Sequence, residues 1–319
     1  MRGLAYAVKA VQEAATIAIS CHVNPDGDTV GSMLALGLGL EKFGKTVTLI
    51  SPEEIPPQYS TLPAAERAKR KLSKNVDLAI TVDCNSGDMV GPVLEDLRKR
   101  AKLILAIDHH SLREPYENIS LIDVSAAAVG EMVYTLLNKL KVHIDRDIAR
   151  NILTSIIVET GSFRLPSVNA RTFGICESLI RTGVDFNDLV ETVFWKKNRQ
   201  AAVLAGLCMS RCKFIADGRL AWTTVKSRDF KSTGGKDRDV DPVPDEIRAI
   251  SGVDIVVFFR EQNGGRLRVS LRSKKEINVG LLAREYGGGG HPDVAGCVIK
   301  NSPGEIKNFL SEAEKFLDL

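Results

Sequence analysis

The chain has 319 residues, of which 44% are hydrophobic and 26% charged, and its formal net charge is +3. These values exclude a disordered chain, a collagen-like fibre and a coiled coil, and the near-neutral balance argues against a protein that coats long nucleic acid. The length fits two domains of ~100–200 residues each.

No run reaches the ~18 consecutive apolar residues needed to span a bilayer, so a membrane is excluded as a partner. Even the apolar stretch Val30 to Leu40 is closed by Glu41 and Lys42. The N-terminal segment carries Lys9 and Glu13 at helical spacing and is expected to form an amphipathic helix, not a signal peptide. Thr16 to Cys21 then reads as a short buried strand, followed by a Pro/Asp/Gly turn and a helix from Thr29 to Phe43. Thr46 to Ile50, Leu78 to Val82 and Leu103 to Ile107 read as further strands, with a helix at Gly91 to Lys102. The basic run Arg67 to Lys74 is expected to coat an exposed helix. Helices are expected over Ala126 to Leu140, Asp145 to Val158, Asn169 to Thr182 and Asp185 to Trp195. Short buried strands alternating with helices predict an α/β fold with a mainly parallel sheet flanked by helices, which binds ligands at the carboxyl ends of its strands.

The polar run Lys196-Lys197-Asn198-Arg199-Gln200 reads as a hinge or as the continuation of a helix. Beyond residue 210, Arg219 to Val225, Val253 to Arg260 and Arg266 to Leu271 read as strands, and Lys231 to Asp241 as a polar loop. A helix over Val279 to Tyr286 ends in Gly287-Gly288-Gly289-Gly290, and a last helix spans Pro303 to Leu317. The expected organisation is a domain over 1–190, a linker over 191–210 and a smaller α/β domain over 211–319 with a Gly-rich loop. The six cysteines lack paired spacing, which suits reduced thiols and a cytoplasmic location.

The chemistry-bearing residues follow strands. In Cys21-His22-Val23-Asn24-Pro25-Asp26-Gly27-Asp28, Pro25 and Gly27 enforce a tight turn that places His22, Asp26 and Asp28 together. One imidazole and two carboxylates suit a divalent metal such as Mn²⁺; alone, the segment also reads as a helix N-cap by Asp28 with an Asn-Pro turn. Asp83 ends a second strand and Asp108-His109-His110 ends a third. Carboxylates this numerous would repel one another in a partly dry crevice, and two bound cations remove the difficulty more naturally than one. In the second half, four consecutive Gly bring backbone N–H groups close to an anion, or serve as a flexible connection, while His291 and Arg272 offer positive charge.

The pattern His22-x-x-x-Asp26-x-Asp28, Asp83, Asp108-His109-His110 and Thr160-Gly161-Ser162-Phe163 resembles the four motifs of the DHH phosphoesterase superfamily. Gly287-Gly288-Gly289-Gly290-His291-Pro292-Asp293-Val294-Ala295-Gly296 resembles the signature of its DHH-associated C-terminal domain, and Val269-Ser270-Leu271-Arg272-Ser273 points to the oligoribonuclease / 3′-phosphoadenosine-5′-phosphate phosphatase branch. The resemblance implies two Mn²⁺, with Mg²⁺ or Co²⁺ as substitutes. One ion would take His22, Asp26 and Asp83, and the other Asp28, Asp83, His109 and Glu159. His110 would face the scissile phosphate, with Asp108 orienting its neighbours. Arg272, Gly288, Gly289, Gly290 and His291 would hold the substrate, in an active site lying in the interdomain cleft. Glu159 departs from the family pattern, which carries Asp there, and so reaches one methylene further from the backbone.

The implied activity is hydrolysis of short RNA oligonucleotides to mononucleotides, with nucleotide bisphosphates as further substrates. Single-stranded DNA, linear dinucleotides, or nucleotide-binding regulation without turnover are the alternatives, and a homodimer is left open. Arg164 is a candidate nucleotide contact, and Lys274 and Lys275 weaker ones. His143 and the pair Cys208 and Cys212 read as structural.

Overall fold

The computed structural model describes residues 1–110, 113–194, 198–274 and 277–317. Its first half runs α1 (Leu4–Glu13), β1 (Thr16–Ser20), α2 (Gly27–Lys42), β2 (Thr46–Ile50), β3 (Val76–Val82), α3 (Gly87–Val90), α4 (Val93–Arg100), β4 (Ala101–Asp108), β5 (Ile119–Ile122), α5 (Val129–Lys139), α6 (Arg146–Glu159), α7 (Ala170–Ile180) and α8 (Phe186–Phe194). The strands form one sheet in the order β2-β1-β3-β4-β5, every pair parallel. Alternation along each strand sorts the side chains into two layers. Ile17, Ile19, Leu78, Ile80, Leu105 and Ile107 pack with α1, α2, α5 and α6; Ala18, Ala79 and Ile104 pack with Val93, Leu94 and Leu97 of α4. Each fully buried Leu or Ile contributes about 1.5–3 kcal/mol of transfer free energy. Both faces of the sheet are therefore covered, and its polar chemistry is confined to the strand ends.

The second half runs α9 (Arg199–Ser210), β6 (Lys213–Ile215), β7 (Leu220–Val225), α10 (Ser227–Thr233), α11 (Val243–Arg248), β8 (Ile255–Gln262), β9 (Arg266–Ser273), α12 (Val279–Glu285), β10 (Gly289–Gly290), β11 (Val294–Lys300) and α13 (Pro303–Lys315). Its sheet, β10-β11-β9-β8-β7-β6, is mixed: β7 and β8 are parallel and the other pairs antiparallel. Val257, Phe259, Val269 and Leu271 pack on α12 and α13, and Ala221, Val256 and Phe258 on α9 and α11. The chain divides into two compact units, Met1–Lys196 and Lys197–Leu319. All six cysteines are free thiols, and no helix among the described residues is long and apolar enough to cross a membrane.

Several local expectations are corrected. Arg67 to Lys74 is not helical: after a short 3₁₀ turn at Ala65–Arg67 the backbone of Lys69 pairs with Leu49 and Ser51, and Leu72 turns inward. The helix expected at Gly91 to Lys102 breaks at Gly91, which adopts φ +66°, and gives way to β4 at Ala101. Lys231 to Asp241 contains the end of α10 and a 3₁₀ turn at Asp237–Val240, because Val240 is buried. Within the expected hinge, Asn198 caps α9 by accepting from the Ala201 amide; Lys196 and Lys197 lie outside the described residues, as does Lys275. The strands β5, β6, β10 and β11 are not among the expected elements.

Candidate functional site

The adjacent strands β1, β3 and β4 end at one rim and deliver His22, Asp83 and Asp108-His109-His110 respectively. The α2 start is tied to this rim by Thr29 Oγ1, which donates to the Val82 carbonyl at 3.0 Å. The cap of α2 is Asp26 and not Asp28: its Oδ1 accepts from the Asp28 and Thr29 amides, at 3.0 Å each. Asp28 instead lies in the first turn, fully buried, and accepts from Ser155 Oγ (2.6 Å), Ser32 Oγ (3.2 Å) and the Val129 amide (3.0 Å). Those partners sit on α6, α2 and α5, which approach closely: a Cβ at Gly130 would stand 2.2 Å from Ser155 Oγ. Asp83 adopts φ +60°, a left-handed conformation costly for a non-Gly residue and best tolerated by Asp and Asn.

The ligand atoms of His22, Asp26 and Asp83 lie within 4.8 Å of one another, and so do those of Asp28, His109 and Glu159. Asp83 joins the two groups: its Oδ2 is 3.6 Å from His22 Nε2 and its Oδ1 is 3.6 Å from His109 Nε2. His109 Nε2 also stands 3.8 Å from Asp28 Oδ2 and from Glu159 Oε1, so the longer side chain of Glu159 does reach the cluster. Backbone carbonyls set the imidazoles: His22 Nδ1 lies 2.7 Å from the Val23 oxygen and His109 Nδ1 3.0 Å from the Ala126 oxygen, which turns both Nε2 atoms inward. His110 differs. Its Nδ1 is engaged by Asp108 Oδ1 at 2.6 Å, and Asp108 Oδ2 accepts from Arg113 Nε at 2.6 Å. Asp83, His109 and His110 form a third group of metal-ligand spacing, and His110 Nδ1, 3.6 Å from Asp83 Oδ1, is engaged by Asp108 at 2.6 Å.

The electrostatics are those of a crowded cluster, buried at His22, Asp28, Asp83 and His109 and open to water at Asp26 and Glu159. Burial, followed by the charge of Asp83, pushes the Asp28 carboxyl up to about 7. Burial alone would lower His22, yet Asp83 and Asp26 outweigh it and raise the imidazole to about 9. Asp83 is held below the ordinary carboxylate range: burial opposes this, and His22, His109 and His110 overcome it. Its Oδ1 is buried and accepts no hydrogen bond. A carboxylate oxygen left without a donor among inward-facing imidazoles fits a divalent cation with N/O ligands better than it fits a structural ion pair.

A fourth strand tip shows the contrast. Asp123 follows β5 and is buried like the others, but Arg171 NH1 donates to it at 2.8 Å while Arg171 Nε donates to Glu131 at 2.9 Å. This acid is neutralised and structural. In the second unit, β10 pairs with β11 so tightly that a Cβ at Gly288 would stand 2.1 Å from the Gly296 oxygen, and one at Gly290 2.4 Å from the Val294 oxygen. Gly289 meets nothing within 4 Å. His291 follows directly, its amide donating to the Val294 oxygen at 2.7 Å. Arg272 is engaged by a partner that the sequence did not announce: its Nε lies 3.1 and 3.2 Å from the two oxygens of Asp245. Arg164 folds back onto the Gly161 carbonyl, Lys274 donates to the Ile250 carbonyl, and His143 is exposed.

Known proteins resemble this chain in both of its halves. The DHH family, N-terminal domain, matches residues 16–157, and the DHHA1 domain matches residues 222–318. The bifunctional oligoribonuclease and PAP phosphatase NrnA of Thermus thermophilus is 29% identical over 304 residues, covering 94% of this chain and 88% of that protein. The protein of the same name from Bacillus subtilis is 27% identical, covering 94% of each. A crystal structure of an exopolyphosphatase-related protein from Bacteroides fragilis superposes with a TM-score of 0.88 at 23% identity, over 98% of this chain and 95% of that one, a likeness of fold.

Proposed function

A DHH domain followed by a DHHA1 domain makes this chain a member of the DHH phosphoesterase superfamily, a hydrolase of phosphoester bonds, and we propose that its substrates are short RNA oligonucleotides and nucleotide bisphosphates. The observation that carries this reading is the convergence of His22, Asp26, Asp28, Asp83, His109 and Glu159 in two groups of metal-ligand spacing joined by Asp83. In this proposal His22, Asp26 and Asp83 hold one Mn²⁺, and Asp28, Asp83, His109 and Glu159 a second, with Mg²⁺ or Co²⁺ as substitutes. Bound there, such ions would acidify a water and offset charge on the phosphoryl oxygens.

The protein groups divide the remaining work. The Val23 and Ala126 carbonyls fix the ring orientation of His22 and His109. Asp108, itself held by Arg113, fixes Nδ1 of His110, so Nε2 is the nitrogen offered to the substrate. From there His110 stabilises charge on the phosphoryl group or delivers a proton to the departing oxygen. Arg272, His291 and the backbone of Gly288, Gly289 and Gly290 are proposed to bind another part of the nucleotide. The substrate class is supported by the names of the Thermus and Bacillus relatives and by a net charge of +3, too small for a long electrostatic track along a polynucleotide.

The test is release of mononucleotide from RNA ranging from dinucleotides to long single strands, with Mn²⁺, beside DNA of matched lengths and adenosine 3′,5′-bisphosphate. Faster cleavage of the shortest RNA is expected. Equal rates on dinucleotides and long strands, or preference for DNA, would reject the substrate assignment.

A further inference from the structure

Arg113 does more than touch Asp108. Its guanidinium divides between two buried acids: Nε donates to Asp108 Oδ2 at 2.6 Å, and NH1 donates to Glu117 Oε1 at 2.9 Å. The side chains of Asp108 and Glu117 are 0% and 1% exposed, and that of Arg113 is 10% exposed. Glu117 is itself braced, accepting from the Tyr116 amide at 2.7 Å and from Ser120 Oγ, on β5, at 2.6 Å. Two further ties fix the segment between them. The Glu114 amide donates to the Asn85 carbonyl at 2.8 Å, and the Tyr116 hydroxyl lies 2.7 Å from Thr81 Oγ1 on β3. The guanidinium is thus anchored from β3 and β5 while it acts on the tip of β4.

As a device for stability this arrangement is poor. One cation faces two buried carboxylates, and Arg113 NH2 is buried with no hydrogen-bond partner among the described residues, a loss of about 1–3 kcal/mol. Its geometry acts instead on a choice open to His110. Nδ1 of that ring is 2.6 Å from Asp108 Oδ1 and 3.6 Å from Asp83 Oδ1, and the Asp83 oxygen accepts no hydrogen bond. A carboxylate pinned by Arg113 at Oδ2 presents Oδ1 in one direction only. Without the pin it can turn, Nδ1 of His110 can go over to Asp83, and the whole ring changes direction.

We propose that Arg113, braced by Glu117, is a positioning residue for phosphoester hydrolysis: it fixes the Asp108 carboxylate and so commits His110 to Asp108 and not to Asp83. This deepens the reading of His110 as the group that faces the scissile phosphate, and rests on it. Lysine is no equivalent at this position, because one ammonium cannot reproduce the planar fork that spans two carboxylates.

The experiment pairs kinetics with a spectroscopic readout on the full chain. With Mn²⁺ and an RNA dinucleotide, Arg113→Ala should lower kcat by about 10–100-fold, the scale for partners that orient site residues, and leave KM within about twofold. Added guanidinium should restore part of kcat, and sodium chloride at the same ionic strength none. Glu117→Gln, whose amide oxygen still accepts from Arg113, should lose less than Arg113→Ala. In EDTA, ¹⁵N–¹H spectra of the histidine-labelled wild type should show the hydrogen-bonded Nδ1–H of His110, assigned by its absence in His110→Gln. That resonance should be displaced or lost in Arg113→Ala. Should the two stranded carboxylates unfold Arg113→Ala, the double variant Arg113→Ala/Glu117→Gln, with one charge fewer, is read in its place. The proposal is overturned if kcat keeps its wild-type value, or if kcat falls while the His110 resonance stays in place, the mark of a merely structural role. A wild type that cleaves no short RNA rejects the substrate assignment, and the resonance alone then decides whether Arg113 commits His110 to Asp108.

Discussion

Asp28→Asn separates a ligand's role from an architectural one. The buried carboxylate accepts from Ser155 Oγ, Ser32 Oγ and the Val129 amide. An asparagine of the same shape keeps an oxygen for the amide and turns its NH₂ toward hydroxyls that can accept, so the loss is about 1 kcal/mol, the gap between charged and neutral hydrogen bonds. Against this stands the cost of the buried charge. Because Asp28 is pushed up to about 7 by burial and Asp83, the folded chain holds this proton to higher pH than the unfolded chain. Stability of the ion-free wild type therefore falls as pH rises from the usual carboxylate range through neutrality. Above neutrality, in EDTA, the variant should melt no lower than the wild type. With Mn²⁺ at ~100 times its dissociation constant the wild type should gain about 2.7 kcal/mol, or about 5–10 °C for a unit of this size. The variant should gain little. Thermal unfolding by circular dichroism, in EDTA and then in Mn²⁺, reads both. A variant that melts far below the wild type in EDTA, or gains equally from Mn²⁺, refutes the ligand role of Asp28.

Three further outcomes follow from the packing. Gly288→Ala drives a methyl group into the Gly296 carbonyl and should cost several-fold in nucleotide affinity along with stability, while Gly289→Ala, in open space, should stay within about 0.5 kcal/mol by urea denaturation. Arg171→Leu removes the guanidinium shared by the buried carboxylates of Asp123 and Glu131, leaving Asp123 the N-terminal ammonium at 3.9 Å; as Arg171 is 38% exposed, the loss should be about 2–3 kcal/mol, below that of a fully buried pair. Asp123 is held below its ordinary range in spite of its burial, by Ser125 and Arg171, so the stability it contributes is present above that range and lost as pH falls; the variant should unfold at higher pH on acidification. Burial pushes the Cys21 and Cys176 thiols up to about 12 and those of Cys208 and Cys297 to about 11. Iodoacetamide should therefore label half-buried Cys212 first in the native chain and all six thiols after denaturation, by mass spectrometry; rapid labelling of Cys21 would contradict this packing.

The metal-type cluster was legible because turn chemistry is local. Pro25 and Gly27 place His22, Asp26 and Asp28 within one turn, and a polar triplet directly after the apolar run ending at Ile107 is hard to explain as packing. What the sequence left hidden is long-range. Ser155 and Val129 grip Asp28 from more than a hundred residues away, and ordinary Ser and Val announce nothing of it. Asp26 and Asp28 are equally good caps on paper, and only the packing of α5 and α6 onto α2 draws Asp28 inward. Asp123 and Asp83 are both strand-tip acids; the arginine that neutralises one of them lies on α7. Likewise Arg272 reads as an open anion contact until α11 supplies Asp245. The basic stretch at 67–74 misled because its charges suggested a solvated helix, whereas the edge of β2 recruits Lys69 through backbone atoms alone.

The order β2-β1-β3-β4-β5 also bears on the lifetime of the protein. Ile17 must find Leu78, and Leu78 must find Leu103, before the rim exists, and Glu159 arrives only with α6. Loop-closure entropy is lost well before these side chains meet, so the divalent ions proposed for the cluster would have little to hold in the transition state for folding. They should act instead on the escape rate, slowing unfolding while leaving the folding rate almost unchanged. A cell short of such ions would then make this protein as quickly as before and degrade it sooner.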